Sequence, residues 1–402
     1  MSFGILTVVV LGGLGGPLVS ASERVLVPVI VGELLAGLIV GRTGFGWVHA
    51  DDPTTAFLAS IGFAMLMFTA GMHIPVREPE LVKRLGRGAA AAGVAAVLAV
   101  GAGVATARIA GVSHPAIYVV ILASGSAAVL VPSLHEAGLL NQSEGLVVAA
   151  QIAIADVAAI VAVPLVLQPN RATHALLGAL AVSACAVLLF FTIRGLRGAS
   201  WVNHLRLLSK QRGWALDLRV SLLVLFGLAW LATRAGTSVL VAGFAVGLVV
   251  AAVGGPKRLS RQVTGVAQGF FVPLFFVVLG AQIDLRAFGT HASLIGLAAL
   301  LTGFNIALSV GAALVTRQSV AAGLASAVAL GVPAAIVALG LQQHVITPGI
   351  GAAIMVAALA SIGVSGVGVA LLHRRLRPPA AEPALAAERP AARVHRASSS
   401  GV

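Results

Sequence analysis

Apolar residues fill most of the chain, in long runs separated by short polar segments. A membrane-spanning helix needs about 20 apolar residues, or fewer if the helix is broken. The pattern predicts thirteen spans, at approximately 3–20, 24–41, 54–74, 87–109, 114–134, 145–167, 173–195, 216–233, 236–253, 264–283, 290–315, 319–341 and 349–373. We therefore expect an all-α polytopic membrane protein with a transmembrane domain at 1–376. Residues 377–402 are rich in Pro, Ala and Arg, so we expect a disordered cytoplasmic tail there.

The composition supports this class. Of the 402 residues, 59% are hydrophobic and only 10% are charged, far from the values of soluble domains. The single cysteine lies in an apolar run, which excludes a disulfide framework and a cysteine metal cluster. The net charge of +13 does not indicate nucleic-acid binding, because the basic residues are spread over short loops. No nucleophilic triad, phosphate loop or metal-ligand spacing occurs, so we expect neither an enzyme nor a cofactor.

The basic residues predict the orientation, because cytoplasmic loops of membrane proteins carry an excess of Lys and Arg. With thirteen spans and a cytoplasmic C-terminus, the N-terminus lies outside. Of the 26 Lys and Arg residues, 21 then fall on the cytoplasmic side and 5 outside, the latter being Arg42, Arg108, Arg171, Arg234 and Arg286. This asymmetry supports both the number of spans and their direction. We expect a multi-pass protein of the plasma (inner) membrane.

Two stretches repeat at nearly the same spacing. "VIVGELLAGLIV" (Val29–Val40) matches "VLVAGFAVGLVV" (Val239–Val250) at an offset of 210, and "GMHIPVR" (Gly71–Arg77) matches "GAQIDLR" (Gly280–Arg286) at an offset of 209. The shift is seven spans, an odd number, so the two copies face opposite ways in the membrane. Inverted repeats of this kind are typical of secondary transporters. We expect repeat one at about 3–167, a linker helix at about 173–195 and repeat two at about 216–373.

Only two of the 13 acidic residues, Glu33 and Asp156, lie well inside predicted spans. An ionisable residue at membrane depth is a functional-site hypothesis by default. Burial disfavours the charged form of a carboxyl group, so Asp156 could hold either a proton or a monovalent cation. The alternative is a buried structural aspartate paired to a neighbour. Glu33 either lines a water path or caps neighbouring backbone, and the structural role is favoured.

Two spans carry residues that interrupt helices. The fifth span contains Ser124, Gly125 and Ser126, followed by Pro132. Proline removes a backbone hydrogen bond, and non-helical backbone at membrane depth survives only where it is buried or lines a cavity. The serine hydroxyls and freed carbonyls are suited to Na⁺ or K⁺, although a merely kinked packing helix would look the same.

The twelfth span contains Gly331 and Pro333 at nearly the equivalent place in the second repeat. Broken helices at corresponding positions in two halves indicate a binding site at the midplane. The repeat offset takes Asp156 to about Gly363, where no acid lies. We therefore expect a duplicated scaffold with a single carboxylate site.

The chain resembles the monovalent cation:proton antiporter-2 family, which includes bacterial sodium/proton antiporters and the membrane parts of potassium-efflux systems. The resemblance covers about residues 5–373 and rests on five features: "GELLAGLIVGRTGFG", "IGFAMLMFTAGMHI", the broken "SGS" span, the Asp156 span and "FFVPLFFVVLGAQIDL". It implies thirteen helices, a homodimer whose interface includes the first span and its neighbour in the second repeat, and a core unit that moves. It also implies that Asp156 is the ion-binding aspartate.

The chain departs from the family pattern at three places. Ala155 stands where relatives often have Asp, Asn or Gln, and "AAI" after Pro333 stands where potassium-efflux relatives have "RGE". In the eleventh span, Asn305 stands where many relatives have a basic residue that can pair with the aspartate. Asn305 is then a polar neighbour of the ion site, and the electrostatics of the core are simpler than usual.

The hypothesis from the sequence is an electroneutral exchanger of Na⁺ or K⁺ for H⁺ that works by alternating access and serves pH homeostasis. Asp156 is the shared carrier, with Ser124, Ser126 and nearby carbonyls completing the cation shell. Two alternatives remain, a Na⁺-coupled organic-anion symporter on a related fold and a non-transporting membrane regulator. Symporter sites favour polar clusters at both broken helices, whereas the second break here, "GVPAAIV", has no polar side chain, which argues against the symporter.

The orientation leads to a labelling prediction. A single cysteine at Ser200, in a background without Cys185, should react with a membrane-permeant maleimide on intact cells and not with an impermeant one. Cysteine at Ser113, in the loop predicted to lie outside, is the matched control and should react with both. Labelling of the Ser200 position by the impermeant reagent would show that the predicted orientation is wrong.

Overall fold

Thirteen apolar helical segments make up the computed structural model of the chain, which describes residues 2–20, 29–50, 52–74, 76–77, 79–169, 172–196, 199–254, 257–283, 285–286 and 291–376. Within this part, nine helices are long and apolar enough to cross a membrane, and four shorter apolar helices lie at Phe3–Val19, Val29–Val40, Val239–Val253 and Gly331–Gln342. Each of them overlaps one of the thirteen predicted spans, of which residues 24–28 lie outside the described residues. The predicted tail, 377–402, lies outside the described residues.

The helices are α1 (Phe3–Gly13), α2 (Gly15–Ser20), α3 (Val29–Val40), α4 (Pro53–Met72), α5 (Pro79–Ala110), α6 (Pro115–Ala123), α7 (Ala127–Glu136), α8 (Ser143–Leu167), α9 (Ala172–Leu196), α10 (Ser200–Gln211), α11 (Leu216–Arg234), α12 (Val239–Val253), α13 (Lys257–Val266), α14 (Val272–Gln282), α15 (Ala292–Val315), α16 (Val320–Ala325), α17 (Gly331–Gln342) and α18 (Pro348–Leu376). A 3₁₀ turn follows α7, and a π-helical turn joins α13 to α14.

The packing divides most helices into two groups. In the first group, which we call the scaffold, α3 packs against α14 and α4 against α12. In the second, which we call the core, α5 packs against α6 and α8, and α15 packs against α16 and α18. Each group therefore takes helices from both halves of the chain, as expected if the two repeats interlock.

Two glycine crossings in the scaffold show that the repeat is real. A Cβ on Gly37 would lie 2.2 Å from the Val277 carbonyl oxygen and 2.9 Å from the Gly280 Cα. A Cβ on Gly247 would lie 2.2 Å from the Phe68 carbonyl oxygen and 2.9 Å from the Gly71 Cα. The offsets found in the sequence convert one contact into the other, so the α3–α14 and α12–α4 crossings are copies of each other.

Arg77 and Arg286, which end the matching stretches "GMHIPVR" and "GAQIDLR", also make equivalent contacts. Arg77 donates from Nε to the Ala252 carbonyl oxygen at 2.9 Å and from Nη2 to that of Val253, at the end of α12. Arg286 donates from Nε to the Thr43 carbonyl oxygen at 2.9 Å, in the turn that follows α3. Carbonyls at a helix C-terminus lack intrahelical partners and carry partial negative charge, which explains why a cation is repeated here.

The glycine crossings predict that a single methyl group is costly. Gly37→Ala should destabilise the protein by about 1–3 kcal/mol, because the α3 and α14 backbones must separate to admit it. Gly93→Ala is the matched control, since nothing lies within 4 Å of a Cβ there and alanine favours a helix interior. Thermal unfolding of the purified variants measures both, and an unchanged melting temperature for Gly37→Ala would contradict the packing.

Candidate ion site

Asp156 lies in the middle of α8 and is only 4% exposed. Its Oδ2 accepts a hydrogen bond from the backbone N–H of Ala127 at 3.1 Å. Ala127 is the first residue of α7 and follows the break in the fifth span. The first N–H groups of a helix have no intrahelical partners and carry partial positive charge. The broken helix therefore holds the carboxylate with backbone groups.

The break itself occupies residues 124–126, as the serines and glycine predicted. Gly125 lies close against α8, since a Cβ there would lie 2.9 Å from the Ile152 Cδ1 and 3.2 Å from the Ile152 carbonyl oxygen. Ser124 and Ser126 are both buried but differ in their surroundings. The Ser124 hydroxyl donates to the Ile121 carbonyl oxygen of its own helix at 2.7 Å, whereas Ser126 lines the same cavity as Asp156.

The two prolines do not cause the breaks. Pro132 lies inside α7, which continues to Glu136. Pro333 lies in the first turn of α17, where a missing N–H costs nothing, and Gly331 is the first residue of that helix. The second break spans residues 326–330, before both of them.

Asn305 contacts the backbone of the second break. Its Nδ2 donates to the Ala327 carbonyl oxygen at 2.5 Å, and it lines a small space next to Ala329 and Ser361 rather than the Asp156 cavity. Asn305 is not part of the described lining of the Asp156 cavity, so its role as a polar neighbour of the ion site stays a prediction. Its amide instead pairs with backbone that the broken helix leaves open.

Ser361, and not Gly363, corresponds to Asp156 in the second repeat. The Ser361 hydroxyl oxygen accepts from the Ala329 N–H at 3.1 Å, just as Asp156 accepts from Ala127. Ser365 on the same helix donates to the Ala325 carbonyl oxygen at 2.7 Å. One break is thus held by a carboxylate and the other by neutral groups.

A cavity of about 290 Å³ lies between the scaffold and the core. Asp156 and Ser126 line it from the core, together with Leu330 and Gly331 of the second break. The scaffold contributes Glu33, Thr69, His73, Gln268 and several apolar residues, and no Lys or Arg is present in the described lining. Sequence reasoning missed Thr69 and Gln268. The one available signal was a polar residue within an apolar run, which is too common to decide a site.

A second cavity, of about 600 Å³, lies at the opposite end of the same helices. It is lined by Ala56 near the start of α4, whereas His73 at the end of α4 lines the Asp156 cavity. Phenylalanines separate the two spaces. Phe63 stacks on Phe275 at 5.0 Å, and Phe275 contacts Phe276 edge-on at the same distance. Asp156 lines the first of these cavities and not the second.

The described residues contain no cluster of three His, Cys, Asp or Glu side chains that could hold a metal ion. A carboxylate that shares its cavity with a serine hydroxyl is instead matched to a small monovalent cation. A buried carboxylate at the break of an inverted-repeat helix, facing a cavity on one side, is typical of a secondary transporter.

The chain belongs to the sodium/hydrogen exchanger transmembrane family, whose model matches residues 6–375. It is 26% identical to the putative Na(+)/H(+) antiporter YjbQ of Bacillus subtilis over 86% of this chain, and it spans only 59% of the length of that protein. It is 24% identical to the Na(+)/H(+)-K(+) antiporter GerN of Bacillus cereus, over 75% of this chain and 81% of that protein.

The solved structure of the sodium proton antiporter MjNhaP1 from Methanocaldococcus jannaschii matches the chain with a TM-score of 0.64 at 17% identity, over 93% of this chain and 99% of that one. At this identity the likeness concerns the fold. The comparisons confirm the family and the fold class that the sequence predicted.

The hydrogen bond of Asp156 predicts different outcomes for two substitutions. Asp156→Asn keeps an oxygen that can accept from the Ala127 N–H, so its thermal stability should stay close to that of the wild type. Asp156→Ala leaves that N–H buried without its partner and should cost about 1–3 kcal/mol. Thermal unfolding in one detergent compares the two, and equal stabilities would show that the bond contributes little.

Proposed function

We propose that the chain exchanges Na⁺ or K⁺ for H⁺ across the plasma membrane by alternating access, with Asp156 as the shared carrier. The observation that carries this proposal is the setting of Asp156. Its carboxylate is buried, accepts a backbone N–H, and faces a cavity whose described lining has no Lys or Arg to neutralise it. Such a carboxylate needs a proton or a cation. The names of the Bacillus relatives support both Na⁺ and K⁺ as candidates.

In the proposed cycle, protonated Asp156 releases its proton into the cavity and a cation takes its place. The N-terminus of α7 stabilises the carboxylate between these events. The cation gains a second oxygen from Ser126, the hydroxyl that shares the cavity. The Ser124 hydroxyl donates to the Ile121 carbonyl oxygen, and its oxygen retains lone pairs that can face a cation, but Ser124 is not part of the described cavity lining. Ser126 is therefore the better supported of the two proposed serine ligands.

The two cavities support alternating access. Under the predicted orientation, the Asp156 cavity opens to the cytoplasm and the larger cavity opens outside. Movement of the core relative to the scaffold would carry Asp156 past Phe63, Phe275 and Phe276 into the outer space. The pairing of α4 with α12 and of α3 with α14 supports a rigid scaffold, because backbones that meet at glycine have little freedom to slide.

The orientation, the homodimer and the role in pH homeostasis also belong to this proposal. The first span exposes Leu11 and Leu18, and α11 exposes Leu223 and Trp230. These apolar faces support a dimer interface through α1 and α11, the equivalent helix of the second repeat. The alternative functions have less support. A membrane regulator does not need a cavity that reaches Asp156. An organic-anion symporter would need free polar groups at the second break, but the backbone groups identified there pair with Asn305, Ser361 and Ser365.

The proposed chemistry predicts electroneutral exchange of one cation for one proton. Asp156 carries either a proton or a monovalent cation, so the loaded site has the same charge in both half-cycles. A net charge that crossed the membrane would feel about 2.3 kcal/mol per 100 mV. Proton flux driven by Na⁺ or K⁺ in proteoliposomes should therefore be nearly independent of a potential set with an ionophore for a third ion.

Asp156→Asn is the control for this measurement, since it retains the shape of the site and removes its titrating group. It should abolish cation-driven proton flux at every potential. Appreciable exchange by this variant, or a wild-type rate that changes severalfold with the potential, would contradict the mechanism.

A further inference from the structure

Glu33 is the second carboxylate of the cavity, and the proposed cycle does not use it. It lies in α3, is 3% exposed, and its Oε2 has no hydrogen-bond partner in the described part of the chain. A Cβ on Gly16 would lie 2.9 Å from the Glu33 Cγ, so the neighbouring helix leaves room for this side chain. Buried polar atoms are normally hydrogen-bonded, and an exception calls for an explanation.

A structural role does not explain Glu33. A carboxylate that caps a helix accepts backbone N–H groups, as Glu144 does when it accepts from the Ser319 N–H at 2.7 Å. Glu33 instead contributes to the lining of the cavity that contains Asp156. The third titratable residue of this lining is His73, which is exposed at the end of α4 and donates from Nδ1 to the Thr69 carbonyl oxygen at 2.7 Å.

Glu33 lies nearer the open end of the cavity than Asp156. Val29 and Ile30, one turn before Glu33, and His73 also line the cavity and lie towards the same membrane face. Asp156 is 13 residues from the start of α8 at that face, which corresponds to about 20 Å of helix. A cavity of about 290 Å³ has room for several waters at about 30 Å³ each. The two carboxylates can therefore be joined by water.

The two carboxylates also belong to different groups of helices. Glu33 is part of the scaffold, whereas Asp156 is part of the core. They share a cavity only while Asp156 faces this side. The repeat offset takes Glu33 to Gly243, and no carboxylate is present among the described residues that line the larger cavity. Among the described lining residues, an acid other than Asp156 is thus found in the first cavity and not in the larger one.

We propose that Glu33 is a proton-relay carboxyl that transfers protons between Asp156 and the cytoplasmic mouth of the cavity. This inference rests on the proposed exchange function. Asp156 gives its proton to cavity water, which passes a proton to the Glu33 carboxylate, and Glu33 then releases one to the water at the mouth. Glu33 returns to its starting form in each cycle. The exchange ratio is therefore unchanged, and the relay affects the rate of the proton half-cycle alone.

The test separates proton transfer from cation transfer in the same proteoliposomes. Cation-driven proton flux requires both, whereas exchange of ²²Na⁺ or ⁸⁶Rb⁺ for the unlabelled ion requires only that loaded Asp156 crosses the membrane. In Glu33→Gln, proton flux should fall by at least about tenfold, and by up to the roughly 10²-fold or more that a positioned acid or base contributes. Isotope exchange by this variant should stay within about twofold of wild type, which also shows that the variant is folded.

Two matched variants complete the design. Glu33→Asp keeps a carboxyl in the cavity and should retain most of the proton flux. Glu136→Gln makes the same chemical change at an exposed residue outside the cavity and should leave both activities unchanged. Equal loss of both activities in Glu33→Gln would overturn the relay in favour of a cation ligand or a structural role. Unchanged proton flux in that variant would overturn it as well. A wild type without cation-driven proton flux would instead refute the exchange function on which the relay depends.

Discussion

A backbone that leaves the helix inside a membrane must find new partners for its N–H and carbonyl groups. This chain does so twice, at residues 124–126 and 326–330. At the second break, Asn305 pairs with the Ala327 carbonyl and Ser361 with the Ala329 N–H. At the first break, the partner of the Ala127 N–H is the carboxylate of Asp156. The architecture around both breaks, including the helices that cover them, provides the burial that these bonds require.

The two repeats differ in the side chain that accepts the free N–H group at the break. A serine at the second break accepts an N–H and remains neutral, so that half of the core has no titrating group at its break. A carboxylate at the first break satisfies an N–H and retains three lone-pair positions, which are open to a proton or a cation. The difference between Asp156 and Ser361 thus places a carboxylate at one of two similar breaks and a neutral hydroxyl at the other.

Much of the fold could be predicted because its signals are local and repeated. Thirteen apolar runs are visible without any knowledge of packing, and the offset between Gly37 and Gly247 is retained in the contacts that these residues make. The serines and glycine of the first break were also correct guides. The prolines were not, because Pro132 and Pro333 are tolerated within helices whose neighbours satisfy the backbone.

The arrangement of the site could not be predicted to the same extent. Helices such as α8 and α15 are apolar on every side, so no amphipathic pattern shows which face meets a cavity. The sequence therefore predicted how far along their spans Asn305 and Glu33 lie, but not which neighbouring helices their side chains face. Asn305 faces the second break, whereas Glu33 faces the space in front of Asp156. Ser361 was missed for a related reason, since a shift of two residues in the repeat offset moves the position from Gly363 to a residue with a hydroxyl.

The short helix α12 has a further consequence for the scaffold. It has 15 residues, which corresponds to a length of about 22 Å, whereas the hydrocarbon layer of a bilayer is about 30 Å thick. Most of its residues are buried among other helices, so protein rather than lipid surrounds it. Arg77 donates to the carbonyls at its end, which lipid tails could not do. A helix too short to span the layer by itself therefore depends on its protein neighbours, and on α4 above all, for a stable position in the membrane.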